Sequence, residues 1–518
     1  MSEKSLKFGT SGIRGIMGPG RNQLNIDTIK RATQGLADYL NEKSERPSVI
    51  ISFDSRNNSR EFAECTASVL AANGIDTDIF REITPVPVLS FAIRRLGCTA
   101  GVMITASHNS REYNGYKVYG ASGGQILDKE AAEVMTKIEA VTPERIKHVS
   151  FAEALAGSCS YAPDELYEEY LAAVRSAVPF PGGDRLSVIY TPLNGSGRKP
   201  VHDLLAEEGF EVFTVPQQAE PDGNFTTCPY PNPEKEDVYR LALEYAKERG
   251  ADIITATDPD CDRVGIATRR ADGEFVLLSG NRTGAVLLDY VINARRRNGT
   301  LPANACAVKT IVTSEIATRI CKANGVAIEN VLTGFKYIGE KLQHYIDSGE
   351  HTFIMGYEES YGYLFGDYAR DKDGVVASLM IAEAAAYYRS RGMTVYDALM
   401  SVFGRYGFSV EKTLNLVMSG FDGAEKMKKM METLRADPPK QIGGVRVTEI
   451  KDYSGGLDGL PKANVLSYSL EDGSTLIVRP SGTEPKVKVY IMTDGRDEDE
   501  ANAKEVRLEN GFKEAYPC

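Results

Sequence analysis

The chain has 518 residues, length enough for roughly three or four domains. Hydrophobic residues make up 42% and charged residues 25%, ordinary values for a globular protein, and 60 basic against 72 acidic residues leave a formal charge of −12, which argues against a nucleic-acid or anionic-membrane binder. The eight cysteines stand singly without a C-x-x-C pair, Met1-Ser2-Glu3-Lys4-Ser5 opens no apolar leader, and no apolar run reaches membrane-spanning length, so the expected setting is reduced and cytoplasmic, with no membrane or nucleic-acid partner.

In chain order, Gly9-Thr10-Ser11-Gly12-Ile13-Arg14-Gly15 reads either as a glycine-rich wrap around a phosphate, with Arg14 as the cation, or as a flexible arm. A β-type run at 49–53 leads through Asp54-Ser55-Arg56 into a helical stretch that stops at Asn73-Gly74. The same order recurs at 186–190, with Asn194-Gly195-Ser196-Gly197 and a helix ending at Glu208-Gly209, and at 306–310, with Val312-Thr313-Ser314 and a helix ending at Asn324-Gly325. A glycine stop followed by another β-type run makes each a βαβ unit of a mostly parallel sheet. The apolar stretch from Val375 to Tyr388 contains Glu383 and reads as a buried helix. From Val445 to Tyr490 short β-type runs alternate with turns, and a helix at 501–516 follows, the pattern of a smaller α+β domain. Breaks are expected near Pro179-Phe180-Pro181-Gly182-Gly183, near Asp272-Gly273, and between Gly420 and Gly444.

Chemistry-bearing residues sit at the ends of these runs. Ser107, in Thr105-Ala106-Ser107-His108-Asn109, follows the apolar run 101–104, with Lys117 ten residues on. No G-x-S-x-G elbow surrounds Ser107, and the chain has only five histidines, so a Ser-His-Asp hydrolase fits poorly. After the buried run 251–257 come Asp258, Asp260 and Asp262, with Pro259 opposing a helix. In an extended segment alternate side chains share one side, and three carboxylates so close call for a hard cation, with oxygen ligands favouring magnesium over zinc. An EF-hand would need Gly and Glu where Arg263 and Arg269 stand. Beside such a cation Ser107 suits phosphate transfer, with His108 or Lys117 moving the proton of an attacking hydroxyl.

Further along, Gly356-Tyr357-Glu358-Glu359-Ser360 follows the run 352–355, and Glu358 and Ser360 are candidates to bond adjacent sugar hydroxyls. Arg370-Asp371-Lys372-Asp373-Gly374 is ambiguous. Between two predicted strands lies Arg479-Pro480-Ser481-Gly482-Thr483-Glu484-Pro485-Lys486, whose hydroxyls, glycine and Arg fork suit a phosphate dianion.

Taken together and in this order, these motifs resemble those of the α-D-phosphohexomutases, the phosphoglucomutase and phosphomannomutase group, over nearly the whole chain. The resemblance implies an α/β protein of four domains around a central cleft, three similar mixed α/β domains and a smaller α+β C-terminal domain. The expected divisions are 1–160 with the active serine, 161–275 with the metal loop, 276–420 with the sugar loop and 421–518 with the phosphate loop. It implies that Ser107 is phosphorylated and that Asp258, Asp260 and Asp262 bind Mg2+ with an oxygen of that phosphoserine. Glu358 and Ser360 would contact sugar hydroxyls, with Thr333 and Gly334 as a substrate loop. Arg479, Ser481, Gly482 and Thr483, with Lys488, would hold the other phosphate. Lys117 and His108 would be the proton-transfer candidates, while Arg14, Arg263 and Lys372 would steady charge. Two positions depart from the family pattern: Ser110 stands where Pro is common, and Tyr357 where many members have Gly.

The function this implies is reversible interconversion of glucose 1-phosphate and glucose 6-phosphate, with glucose 1,6-bisphosphate as intermediate and activator. Mannose and pentose phosphates remain alternatives. The implied partners are small sugar phosphates, and the chain is expected to be a monomer or a homodimer. A phosphomonoesterase using the same serine and a catalytically silent sugar-phosphate sensor are the rivals.

Overall fold

A computed structural model of the chain describes residues 8–9, 12–179, 186–418, 423–481 and 486–516. It has two compact units, Met1–Val308 with Gly334–Ala398, and Lys309–Thr333 with Leu399–Cys518.

The first unit begins with a seven-stranded sheet of β1 (Phe8–Gly9), β2 (Gly12–Ile16), β3 (Ser48–Phe53), β4 (Asp76–Ile79), β5 (Ala100–Ile104), β6 (Tyr113–Gly120) and β7 (Cys159–Tyr161), ordered β1-β2-β6-β5-β3-β4-β7. β5, β3, β4 and β7 run parallel, while β6 returns antiparallel along β5. β3 and β5 are apolar almost without a break because helices cover both faces, so alternation has nothing to separate. The helix Ile26–Lys43 starts at a capping box, in which Asn25 accepts from the Thr28 N–H and Thr28 Oγ1 accepts from the Asn25 N–H.

A second sheet follows, of β8 (Ser187–Thr191), β9 (Glu211–Thr214), β10 (Ile253–Thr257), β11 (Val264–Arg269) and β12 (Phe275–Leu278), ordered β12-β11-β10-β8-β9. β10, β8 and β9 are parallel and β11 and β12 antiparallel. Asp272-Gly273, near which a break is expected, forms the hairpin turn joining β11 to β12: the Gly273 N–H donates to the Arg270 carbonyl at 2.9 Å and the Arg270 N–H to the Glu274 carbonyl at 2.8 Å. Gly and Asp mark turns inside a sheet as readily as they mark linkers.

β13 (Ala305–Thr310) and β14 (Ala327–Val331) come next, then β15 (Thr352–Glu358) and β16 (Gly362–Leu364), which pair antiparallel. The helix Gly374–Arg389 is buried along nearly its whole length, and Asp373 caps it by accepting from the Val375 and Val376 N–H groups. Each buried Val, Leu or Ile side chain along it adds about 1.5–3 kcal/mol relative to exposure.

The second unit carries an antiparallel sheet of β17 (Phe408–Val417), β18 (Gln441–Ile442), β19 (Val445–Asp452), β20 (Leu466–Leu470), β21 (Thr475–Pro480) and β22 (Lys486–Gly495), ordered β17-β22-β21-β20-β19-β18. One face of it packs with Met431, Leu434, Leu508 and Phe512, from the helices Gly423–Ala436 and Glu498–Ala515. The seven cysteines among the described residues are all buried, and none is joined in a disulfide. No helix among the described residues is long and apolar enough to cross a membrane.

Candidate active site

Three strand ends build the site in the first unit. Ser107 follows β5, Asp258 follows β10 directly, and Glu358 ends β15. Open α/β sheets bind ligands beyond the carboxyl ends of their strands, because there the loops are free to vary while the strands stay fixed.

Ser107 is 3% exposed and has φ +53°, in the left-handed region. Its hydroxyl donates to Asp258 Oδ2 at 2.8 Å and lies 3.2 Å from His108 Nδ1. His108 is held well below its ordinary pKa by burial and by the positive charge of Arg263 and Arg14, so its ring is neutral at pH 7 and its protonated form is disfavoured.

Asp258, Asp260 and Asp262 are all buried and present carboxylate oxygens within 4.8 Å of one another. Their convergence does not come from an extended backbone. The Cys261 N–H donates to the Asp258 carbonyl at 2.9 Å and Cys261 has φ +52°, so 258–262 is a tight turn. Alternate side chains converge here because the chain folds round Asp258, whose Oδ1 accepts from the Asp262 and Arg263 N–H groups at 3.1 and 3.0 Å. Burial, then Asp260 and Asp262, push Asp258 well above the usual carboxylate range, and burial with Asp260 raises Asp262. Burial works the same way on Asp260, but Lys117 outweighs it and holds Asp260 low. Among these carboxylates Asp260 Oδ1 and Asp262 Oδ1 are buried with no hydrogen-bond donor. A set of hard oxygen ligands with orphaned lone pairs fits a divalent cation.

Cationic side chains surround this cluster. Lys117, on β6, places Nζ 2.9 Å from Asp260 Oδ2 and 3.8 Å from Asp262 Oδ2. Lys372 Nζ lies 2.6 Å from Asp262 Oδ2. Burial opposes its charge, but Asp262 and Asp371 keep its pKa above the ordinary value. Arg263 donates to Glu234 at 2.8 Å and stands 3.9 Å from Asp262. Arg14 donates to Asn109 Oδ1 at 2.9 Å; burial lowers its pKa, and Asp260 works against that.

The loop after β15 adjoins the loop after β10: the Val264 N–H donates to the Tyr361 carbonyl at 3.1 Å, and Arg263 and Gly362 form a bridge. Glu358 is 5% exposed, its pKa raised by burial against the opposing pull of Lys372 and Arg263, and its Oε1 accepts from the Gly334 N–H at 2.9 Å. Ser360 lies in the turn before β16. Tyr357, which departs from the family pattern, points into the core instead, stacked on Tyr363 at 6.3 Å and packed against Gly284. Adjacent residues of a strand face opposite ways, so Tyr357 leaves the Glu358 side unaltered.

Thr333, Arg479, Ser481 and Lys488 belong to the second unit. Thr333 Oγ1 is buried without a partner. Arg479 on β21 and Lys488 on β22 stand directly opposite each other, so two like charges share one face of the sheet, an arrangement that an anion between them relieves. Gly482 and Thr483, with Thr10 and Ser11 of the N-terminal motif, lie outside the described residues.

Several residues escaped sequence reading. Asp54 and Arg56 lie buried against the serine loop; their place just beyond β3, beside β5, is the signal that was available. Glu234, the partner of Arg263, sits in an irregular loop with no motif around it. Asp371 accepts from Tyr119 at 3.0 Å and from Gln125 at 2.9 Å and so fixes the segment carrying Lys372.

Comparison with known proteins gives a consistent result along the chain. "Phosphoglucomutase/phosphomannomutase, alpha/beta/alpha domain I" matches residues 5–145, domain II matches 167–273, domain III matches 279–406, and the C-terminal domain matches 425–509. A phosphoglucomutase of Staphylococcus haemolyticus is 34% identical over 503 residues, covering 94% of this chain and 90% of the relative. Among solved structures, a phosphoglucomutase/phosphomannomutase family protein from Burkholderia thailandensis superposes with a TM-score of 0.72 at 20% identity, covering 98% and 97% of the two chains. The open form of parafusin from Paramecium, a phosphoglucomutase, gives 0.73 at 19% identity, covering 98% of this chain and 95% of the other.

Proposed function

The chain belongs to the phosphoglucomutase/phosphomannomutase family, and on that premise we propose that it is a phosphoglucomutase, a phosphohexomutase of the isomerase class that interconverts α-D-glucose 1-phosphate and glucose 6-phosphate. The observation that carries this reading is the Ser107 hydroxyl, buried, left-handed and hydrogen-bonded to the first of three clustered aspartates. A serine so placed serves group transfer better than hydrolysis, since its burial keeps water away.

In the proposed cycle phospho-Ser107 gives its phosphoryl group to the 6-hydroxyl of glucose 1-phosphate. The sugar hydroxyl loses its proton to one of the two proton-transfer groups, His108 or Lys117. Glucose 1,6-bisphosphate results, turns over, and returns its 1-phosphate to Ser107, leaving glucose 6-phosphate. Glu358 and Ser360, with Thr333 and Gly334, read the sugar hydroxyls. Arg479, Ser481, Gly482, Thr483 and Lys488 hold the phosphate that is not in transfer; hydroxyl and backbone donors accept a phosphate on either end of the sugar. Arg14, Arg263 and Lys372 balance charge around the moving group. Asp258, Asp260 and Asp262 would hold Mg2+, which supplies charge neutralisation of the phosphoryl oxygens when bound. Domain divisions at 1–160, 161–275, 276–420 and 421–518, and a cytoplasmic location, complete the proposal.

The test is glucose 1-phosphate with magnesium and a trace of glucose 1,6-bisphosphate. Glucose 6-phosphate should form with little free phosphate; free phosphate equal to the substrate consumed would mean a phosphatase. Mannose and ribose 1-phosphates in the same assay decide the sugar, and a higher kcat/KM on either replaces glucose in this reading. Ser107→Ala should abolish turnover and leave sugar-phosphate binding measurable.

A further inference from the structure

We propose that Arg56, with Asp54, is the positioning residue that bends the Ser107 loop into its reactive shape. This rests on the reading of Ser107 as the phosphate carrier, and it concerns residues hydrogen-bonded to the serine loop rather than to the three aspartates.

Arg56 is 3% exposed overall and its side chain is fully buried. Its guanidinium donates to four main-chain carbonyls of one loop. Nη1 reaches the Ser110 carbonyl at 2.9 Å and the Tyr113 carbonyl at 3.2 Å, and Nη2 reaches the carbonyls of Ser107 and Asn109. Nε lies 3.3 Å from Asp54 Oδ2, and the Phe225 ring covers the guanidinium at 4.9 Å from its centroid. Asp54 grips the other side of the same serine. Its Oδ2 accepts from Thr105 Oγ1 at 2.6 Å, and Thr105 Oγ1 accepts from the Ser107 N–H at 2.8 Å. Its Oδ1 accepts from Ser59 Oγ at 2.7 Å and from the Arg56 N–H at 3.0 Å. The N–H of Ser107 is thereby tied to Asp54 and its carbonyl to Arg56.

That double hold accounts for the backbone. Ser107 has φ +53°, a conformation that a serine keeps only where its surroundings impose it. In the same conformation its hydroxyl meets Asp258 Oδ2 at 2.8 Å. Four carbonyls converging on one point need several N–H donors fanned in a plane, which a guanidinium offers and an ammonium does not. The Arg56 bond to the Ser110 carbonyl holds this part of the loop from outside it.

The test compares Arg56→Lys and Thr105→Val with the parent enzyme, reading kcat, KM for glucose 1-phosphate, the rate at which glucose 1,6-bisphosphate phosphorylates Ser107, and thermal unfolding. For Arg56→Lys, kcat and the phosphorylation rate should fall together by about 100-fold, the scale of an ångström-level misplacement, with KM within about threefold. Thr105→Val, which keeps the shape and removes one link to the Ser107 N–H, should lower both by about tenfold. A kcat per folded molecule equal to the parent's, with only the melting temperature reduced, would make Arg56 a structural residue and overturn the proposal. If Arg56→Lys does not fold, Thr105→Val decides by the same criteria. Should Ser107→Ala retain mutase activity, the phosphoserine reading fails on its own; an essential Ser107 alongside unimpaired Arg56→Lys and Thr105→Val defeats only this inference.

Discussion

The two units of the molecule differ in where they hold clustered charge. In the first, Asp260, Asp262, Lys117 and Lys372 are paired with side chains between 0% and 9% exposed. In the second, the pairs Arg446–Glu471 and Lys412–Glu509 lie at or near the surface, with side-chain exposures of 64%/59% and 45%/12%. Surface pairs contribute about 0–1 kcal/mol each, whereas removing an ion from water costs several kcal/mol before any attraction is counted. A fold that needed only stability would fill the first unit's centre with apolar side chains, as the second does around Leu476, Val478 and Phe512. Buried charge on this scale costs stability, and the proposed chemistry is the reason offered for it.

The sharpest way to break that contrast is to alter the buried carboxylates. Asp260→Asn should lower kcat about 1,000-fold, the loss of several kcal/mol of charge stabilisation, in a steady-state assay with saturating magnesium. A fall below tenfold would mean that the cluster is not the reaction centre. Lys117→Met should destabilise the metal-free protein by about 3–5 kcal/mol in urea unfolding, because Asp260 and Asp262 lose a buried partner. Magnesium should restore part of that loss, and should raise the variant's midpoint more than the parent's.

Variants in the second unit sharpen the contrast from the other side. Arg479→Gln should raise KM about 10- to 100-fold with little change in kcat, the value of one or two charge-assisted hydrogen bonds to a phosphate held throughout the reaction. The smallest effect is expected at Glu509, whose carboxyl Lys412 and Lys513 depress to about 2. A depressed folded-state pKa adds stability that is complete above the unfolded carboxylate value near 4.5 and is lost as pH falls towards 2. Glu509→Gln should therefore lower the melting temperature slightly at pH 7, and the difference from the parent should shrink as pH falls through 4.5 and vanish only below pH 2.

Much of this was legible in the sequence, for physical reasons that differ from place to place. The βαβ units could be read because β3, β8 and β13 are apolar runs and the helices that follow β3 and β13 stop at Asn-Gly. Asp258, Asp260 and Asp262 were legible as a cluster from spacing alone, yet for the wrong local reason: a turn about Cys261, not an extended strand, brings them together. Glu234 was illegible because it acts on a loop more than twenty-five residues away and side-chain pairing across that separation leaves no local pattern, whereas Arg56 had only its place just beyond β3 to mark it. Tyr357 became interpretable only once strand alternation placed it on the core side of Glu358.

The account stands on a phosphoryl group that travels on and off one serine. Peptide mapping by mass spectrometry of the active enzyme, before and after one equivalent of glucose 1-phosphate, tests that directly. The prediction is a phosphate on the Ser107 peptide that leaves as glucose bisphosphate appears and returns as glucose 6-phosphate is released. An enzyme that turns over at its full rate while Ser107 stays unmodified throughout would contradict it.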